Sequence, residues 1–233
     1  MTAILKREVH AYLRTPLGYV FISAMYLFTG YYFFTYNIFG NTTDTSGLFS
    51  MLFSIVLFLI PVLTMRLFSE ERRSKTDQIL LTSPVSRISI VLSKYFAALC
   101  IYIIAISGTL VMALILEHFS YPDWSVIFGN FFGLLLLGSA LIAVCLFISS
   151  LTENQIIAAV GGFAASLFLI LMDAIVFITT NNILQILFGH MSFNNRYRGF
   201  TIGLVGLADV VFFISIVILF LALTVIVLER RRH

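Results

Sequence analysis

The chain has 233 residues, 60% of them hydrophobic and only 11% charged, with a net charge of +3 and a mean hydropathy of +1.04. Soluble domains carry about a quarter charged residues, so this composition excludes a soluble enzyme or binding module and marks an integral membrane protein. The apolar runs approach or exceed the roughly 20 residues that a spanning helix needs, and none shows the alternation of barrel strands. Cys100 and Cys145 both lie within apolar runs and read as small packing residues, neither a disulfide nor a metal pair.

Residues 2–15 come first. Leu5, Val9, Tyr12 and Leu13 share one helix face, while Lys6, Arg7, His10 and Arg14 lie largely off it. The spacing predicts a basic amphipathic helix suited to the membrane interface, ended by Thr15-Pro16. No cleavage site of signal-peptide type follows it. The first span is predicted over 17–39, with Tyr31, Tyr32 and Tyr36 towards its far end, and a loop without Lys or Arg over 40–47. The second span is predicted over 48–65, with Pro61 expected to kink it near its exit.

A charged island follows over 65–84, in which Arg66, Glu70, Glu71, Arg72, Arg73, Lys75 and Asp77 crowd together and Ile79, Leu80 and Leu81 form an apolar end. Such density cannot sit in hydrocarbon. Glu70 to Leu81 holds mostly good helix formers, so a short helix is expected before Ser83-Pro84. Ser86 is placed to cap the next helix, which starts in water with Arg87 and Lys94 and crosses as the third span, 95–116.

A second loop free of Lys and Arg, 117–125, precedes the fourth span, 126–151, with Gly129 and Gly133 in G-x-x-x-G spacing. The turn 152–155 leads to the fifth span, 156–178, whose Gly161-Gly162 and Ala165-Ser166 suit close helix approach. Residues 179–206 are too polar to span and too apolar for a plain loop, so a re-entrant or surface-lying helical segment is expected. The sixth span is predicted over 207–228. Six spans place twelve of the 14 Lys and Arg on one side and only Arg196 and Arg198 on the other, which makes both termini and the island cytoplasmic.

On charge alone the island reads equally as a solvated loop that sets topology or as a helix that docks a cytoplasmic partner. The run Met65-Arg66-Leu67-Phe68-Ser69-Glu70-Glu71-Arg72-Arg73-Ser74, continued by Leu80-Leu81-Thr82-Ser83-Pro84-Val85-Ser86, resembles the signature of type-2 ABC exporter permeases. Ile90 to Phe96 and the ending Val227-Leu228-Glu229-Arg230-Arg231-Arg232 extend the resemblance, which is nearest to the gliding-motility-associated permeases of bacteria. Two departures show: Lys75 stands where that subgroup often has Gly, and Asp77-Gln78 where it often has Leu-Glu.

The resemblance implies an all-α integral membrane fold in a single permease domain. Its parts are an elbow helix (2–15), six spans, a cytoplasmic coupling helix between spans two and three (69–83), and extracellular or re-entrant helices between spans five and six. It implies two permease subunits, identical or different, with cytoplasmic ABC ATPase subunits that carry ATP and Mg, a path between the permeases in the bacterial inner membrane, and in the nearest subgroup an accessory membrane protein with a large extracytoplasmic domain. No nucleic-acid partner is implied. Ser69, Glu70, Glu71, Arg72, Arg73, Asp77, Leu80 and Leu81 are then the candidates for coupling to the ATPase.

The chain has no G-x-x-x-x-G-K-[ST], so it binds no nucleotide cofactor through a P-loop and is expected to be no enzyme itself. His10, His118, His190 and His233 all fall outside the predicted spans, which argues against an intramembrane metal site. Asp173, in the fifth span, is a candidate for the path or a partner for Arg196 or Arg198, set against simple interfacial hydration. Asn130, in the fourth, suits a helix–helix hydrogen bond better than a substrate contact, and Asp209 reads as interfacial. Two other classes stay open: a membrane scaffold for a motility or secretion complex, and a channel or secondary transporter. The latter calls for an inverted repeat, and none is found.

Overall fold

The structure is a computed structural model that describes residues 2–75, 86–119, 121–178, 189 and 192–230. Those residues form helices and no strands. In chain order they are α1 (Thr2–Arg14), α2 (Pro16–Phe33), α3 (Ser46–Thr64), α4 (Ser69–Arg73), α5 (Arg87–Ile106), α6 (Gly108–Phe119), α7 (Trp124–Leu151), α8 (Gln155–Ile178), α9 (Phe193–Thr201) and α10 (Leu207–Arg230). Six helical segments are long and apolar enough to cross a membrane. They fall on the six predicted spans.

The bundle is organised around α7. Of its most apolar stretch 72% of residues are buried, against 11% in α10, so α7 is the central post and α10 a peripheral one. It packs against α3, α5, α8, α9 and α10. Between lipid-soluble helices there is no hydrophobic force to pull them together, so close packing and hydrogen bonds must do so. The small residues of α7 allow it. A Cβ on Gly138 would fall 2.2 Å from the Tyr102 ring of α5, whose hydroxyl donates to the Leu134 carbonyl at 2.7 Å. A Cβ on Gly162 of α8 would fall 2.8 Å from Pro61 of α3 and 3.3 Å from Cys145 Sγ of α7. The helix α3 runs through Pro61 to Thr64, where the Thr64 hydroxyl donates to the Ile60 carbonyl at 2.9 Å.

Local signals set the ends of the elements. Ser86 caps α5 by accepting from the Ser89 amide, and Asp123 caps α7 by accepting from the Ser125 amide. The third span is two helices, α5 and α6, broken at Ser107. The Ile104 carbonyl at the break accepts from the Tyr26 hydroxyl at 2.9 Å and from the Ser107 hydroxyl at 2.7 Å. Beyond α2 the chain widens into a π turn, Phe34–Ile38, where Asn37 is buried and its amide donates to the carbonyls of Thr42 and Asp44 at 3.1 and 3.0 Å. One side chain thereby organises the polar loop between the first two spans.

The predicted surface-lying segment contains α9. The G-x-x-x-G pair of α7 serves this helix and its exit turn, not a neighbouring span: a Cβ on Gly129 would meet Gly203 Cα at 2.9 Å, and one on Gly133 would meet Phe200 Cβ at 2.7 Å. Residues 179–188, 190 and 191 lie outside the described residues.

Candidate functional site

At the end of the bundle that carries most of the Lys and Arg, α3 gives way to a turn over 65–68 and then to α4. The exit is fixed from two sides. The buried Tyr12 of α1 donates to the Leu63 carbonyl at 2.9 Å, and burial pushes its phenol pKa up. From α7, the Ser149 hydroxyl accepts from the amides of Phe68 and Ser69 at 3.2 and 3.4 Å and donates to the Met65 carbonyl at 3.1 Å. These are backbone groups of the kind a helix start leaves unpaired, and a buried one must find a partner. Ser69 itself is fully buried and donates back to the Met65 carbonyl.

Lys94 of α5 lies at the centre. It is 1% exposed, and its Nζ donates to the Leu67 carbonyl at 2.7 Å. The ammonium also pairs with Glu71 of α4 at 2.9 Å and with Glu8 of α1 at 3.3 Å, and it lies 5.2 Å from the centre of the Phe68 ring. Arg7 closes the circuit on Glu8 at 2.7 Å and Glu71 at 2.9 Å. The hydrogen bond that Arg7 donates to Glu8 raises the Arg7 pKa above its usual value. Two cations thus meet two carboxylates, and a buried ammonium survives only with such pairing. Three elements far apart in sequence are tied to one another at a single nitrogen.

The remaining charges of α4 make contacts of their own. Glu70 pairs with Arg66 at 2.8 Å, one helical turn away. Arg72 reaches Glu153 in the α7–α8 turn at 2.9 Å and the Ser150 carbonyl at 3.4 Å. Arg73 is exposed. A cavity of about 290 Å³ opens between α1 and α4, lined by Arg7, Glu8, Arg66, Glu70, Glu71 and Lys94 among others. At the end of α4, Lys75 takes a φ of +56°, the left-handed conformation with which helices often finish and which favours glycine.

Of the sequence candidates, then, the structure gathers Ser69, Glu70, Glu71, Arg72 and Arg73 on α4. Asp77, Leu80 and Leu81 lie outside the described residues. Asp173 falls on α8, with its side chain outside what is described. Asn130 is fully buried at the opposite end of the bundle, donating to the carbonyls of Val126 at 2.9 Å and Thr201 at 3.4 Å and accepting from Tyr197 at 3.3 Å. It holds α9 to α7. Asp209 does more than sit at an interface, for it pairs with Arg196 at 3.0 Å.

Neither Lys94 nor Glu8 was among the sequence candidates. Lys94 is buried where water was expected, because α1 and α4 fold over it. Glu8 belongs to the inner face of α1 with Tyr12, while Leu13, assigned to that face, is 38% exposed. A signal for both exists in the sequence. Glu8 is the one acidic residue in 2–15 and stands a single helical turn before Tyr12. Lys94 shares a helix face with Val91 and Ala98, both fully buried.

A family model described as "ABC-2 family transporter protein" matches residues 14–226. No curated protein matches the chain.

Proposed function

The chain belongs to the ABC-2 transporter family as a multi-pass membrane permease subunit, and from that premise we propose that it is the membrane half of an ATP-driven exporter coupled to a separate cytoplasmic ATPase through α4. The observation that carries this reading is the Lys94 hub. A helix meant only to solvate a loop has no need of a buried ammonium, but one that must pass force into the spans needs a stiff attachment. Through Lys94 and Glu71, a push on α4 reaches α5; through the turn 65–68 it reaches α3; through Arg7 and Glu8 it carries α1 along.

In this reading both termini and α4 face the cytoplasm of the bacterial inner membrane, as the charge division of the sequence favours. The exposed Arg73 and Glu70, together with residues 76–83, meet the ATPase, while Glu71 and Arg72 hold α4 to the bundle. ATP and Mg are bound by the partner chain, since this one lacks a P-loop sequence. Two permease copies form the path. Within the family, residues 65–99 favour the gliding-motility-associated subgroup, whose permeases work beside a membrane protein with a large extracytoplasmic domain.

The test is affinity purification of the tagged chain from its native host in mild detergent, beside an Arg73→Glu variant. The expected result is a stoichiometric partner with a G-x-x-x-x-G-K-[ST] sequence and ATPase activity, both diminished in the variant. A clean preparation without any such partner contradicts the proposal and favours the scaffold.

A further inference from the structure

At the opposite end of the bundle from α4, a cavity of about 480 Å³ opens between the start of α3 and α9, lined by Ser50, Phe53, Asn194, Tyr197, Arg198, Thr201 and Ile202. We propose that this cavity is a binding site for the phosphate ester of a polyol, of the glycerol-phosphate kind.

Charge is the first reason. By sequence, Arg196 and Arg198 are the only Lys or Arg residues assigned to this side of the membrane. Arg196 is committed to Asp209 at 3.0 Å and lies 5.3 Å from the centre of the Phe212 ring. Arg198 pairs with no carboxylate among the described residues, is exposed, and lines the cavity. A guanidinium fork matches the oxygens of a phosphate.

The hydroxyls supply the second reason. Ser50 donates to the Ser46 carbonyl at 2.8 Å, and Thr201 donates to the Arg198 carbonyl at 2.7 Å. Their hydrogens are spent, so each oxygen offers lone pairs to the cavity and asks for a donor. A bare phosphate dianion brings none, whereas ligand hydroxyls do. Asn194 adds an amide that both donates and accepts. The wall is rigid: the Phe53 and Tyr197 rings lie 5.0 Å apart between centres, and the Tyr197 hydroxyl is held by Asn130 at 3.3 Å.

The same headgroup chemistry is available from a bilayer lipid, phosphatidylglycerol, or from a soluble molecule, sn-glycerol 3-phosphate. The site stands apart from α4, and its occupancy does not depend on an ATPase. The experiment uses the purified full chain in neutral detergent. Native mass spectrometry counts retained phosphatidylglycerol, and titration with sn-glycerol 3-phosphate tests displacement of that lipid. The wild type is expected to retain the lipid, and Arg198→Gln to bind it about tenfold or more weakly, the loss typical of a charge-assisted contact. Arg198→Lys recovers part of the binding, and Lys6→Gln, at the other end of the bundle, changes nothing. Displacement by the soluble ester identifies a headgroup site open to solvent; retention of the lipid against it identifies a site filled from the bilayer. Arg198 is exposed, so its variants fold, as an unchanged melting temperature in lipid-free detergent will show. Equal binding by wild type and Arg198→Gln, or no binding of either probe to the wild type, overturns the proposal.

Discussion

Replacing Lys94 with methionine keeps most of the side chain's length and removes its charge. The ammonium contributes three short contacts, at 2.7, 2.9 and 3.3 Å, from a position 1% exposed. Its loss leaves Glu8 and Glu71 sharing one guanidinium, that of Arg7, whose side chain is 54% exposed and screened by water. Removing one partner of a buried ion pair costs about 3–5 kcal/mol, because the other charge stays behind uncompensated. Truncating Arg7 to alanine removes a water-facing partner and costs about 1 kcal/mol or less. At about 2–4 °C per kcal/mol for a chain of this size, Lys94→Met lowers the melting temperature in mild detergent by roughly 10 °C and Arg7→Ala by a few degrees at most. The double variant Lys94→Met with Glu71→Gln removes a stranded charge along with its partner and melts above Lys94→Met alone. If Lys94→Met and Arg7→Ala melt together within a degree or two, Lys94 is not the buried tie described above.

Three further outcomes follow from the packing. Gly138→Ala forces a methyl to within 2.2 Å of the fully buried Tyr102 ring and costs about 2–3 kcal/mol, whereas Gly30→Ala, whose nearest neighbour is the flexible end of Met112 at 4.0 Å, melts near the wild type. Arg72→Glu replaces the 2.9 Å ion pair with Glu153 by two like charges; with Glu153 65% exposed the stability cost stays near 1 kcal/mol, and the reversed pair Arg72→Glu with Glu153→Arg recovers most of it in the same melting assay. Lys75→Gly relieves a side chain held at φ +56° and stabilises α4 by about 0.5–1 kcal/mol, read as slower amide exchange over residues 69–75.

Much of this fold was legible because membranes impose a simple rule. Residues 124–151 in α7 and 210–228 in α10 include no Asp, Glu, Lys or Arg and so declare themselves as spans. Ser86 announced its helix start through chemistry that acts within three residues. The charge of α4 was equally plain. What could not be read was how the island is attached, because that depends on elements distant in sequence. Nothing local to Lys94 says that Glu8, 86 positions earlier, and Glu71 close over it. Likewise the spacing of Gly129 and Gly133 announced a close approach without naming the guest. The guest is α9, and Gly203 at φ +78° makes the turn that brings its exit against Gly129. Leu13 misled because an apolar residue at the edge of a helix face obeys the periodicity whether or not anything covers it.

The central claim is that the exposed side of α4 is where an ATPase pushes. A photo-crosslinking amino acid in place of the exposed Arg73, activated in native membranes, tests it most directly. The account predicts one dominant adduct, joined to a peptide of a polypeptide with a nucleotide-binding sequence, and a yield that changes when ATP is trapped on the partner. Adducts confined to lipid or to the chain itself, with no nucleotide-binding partner among them, would contradict it.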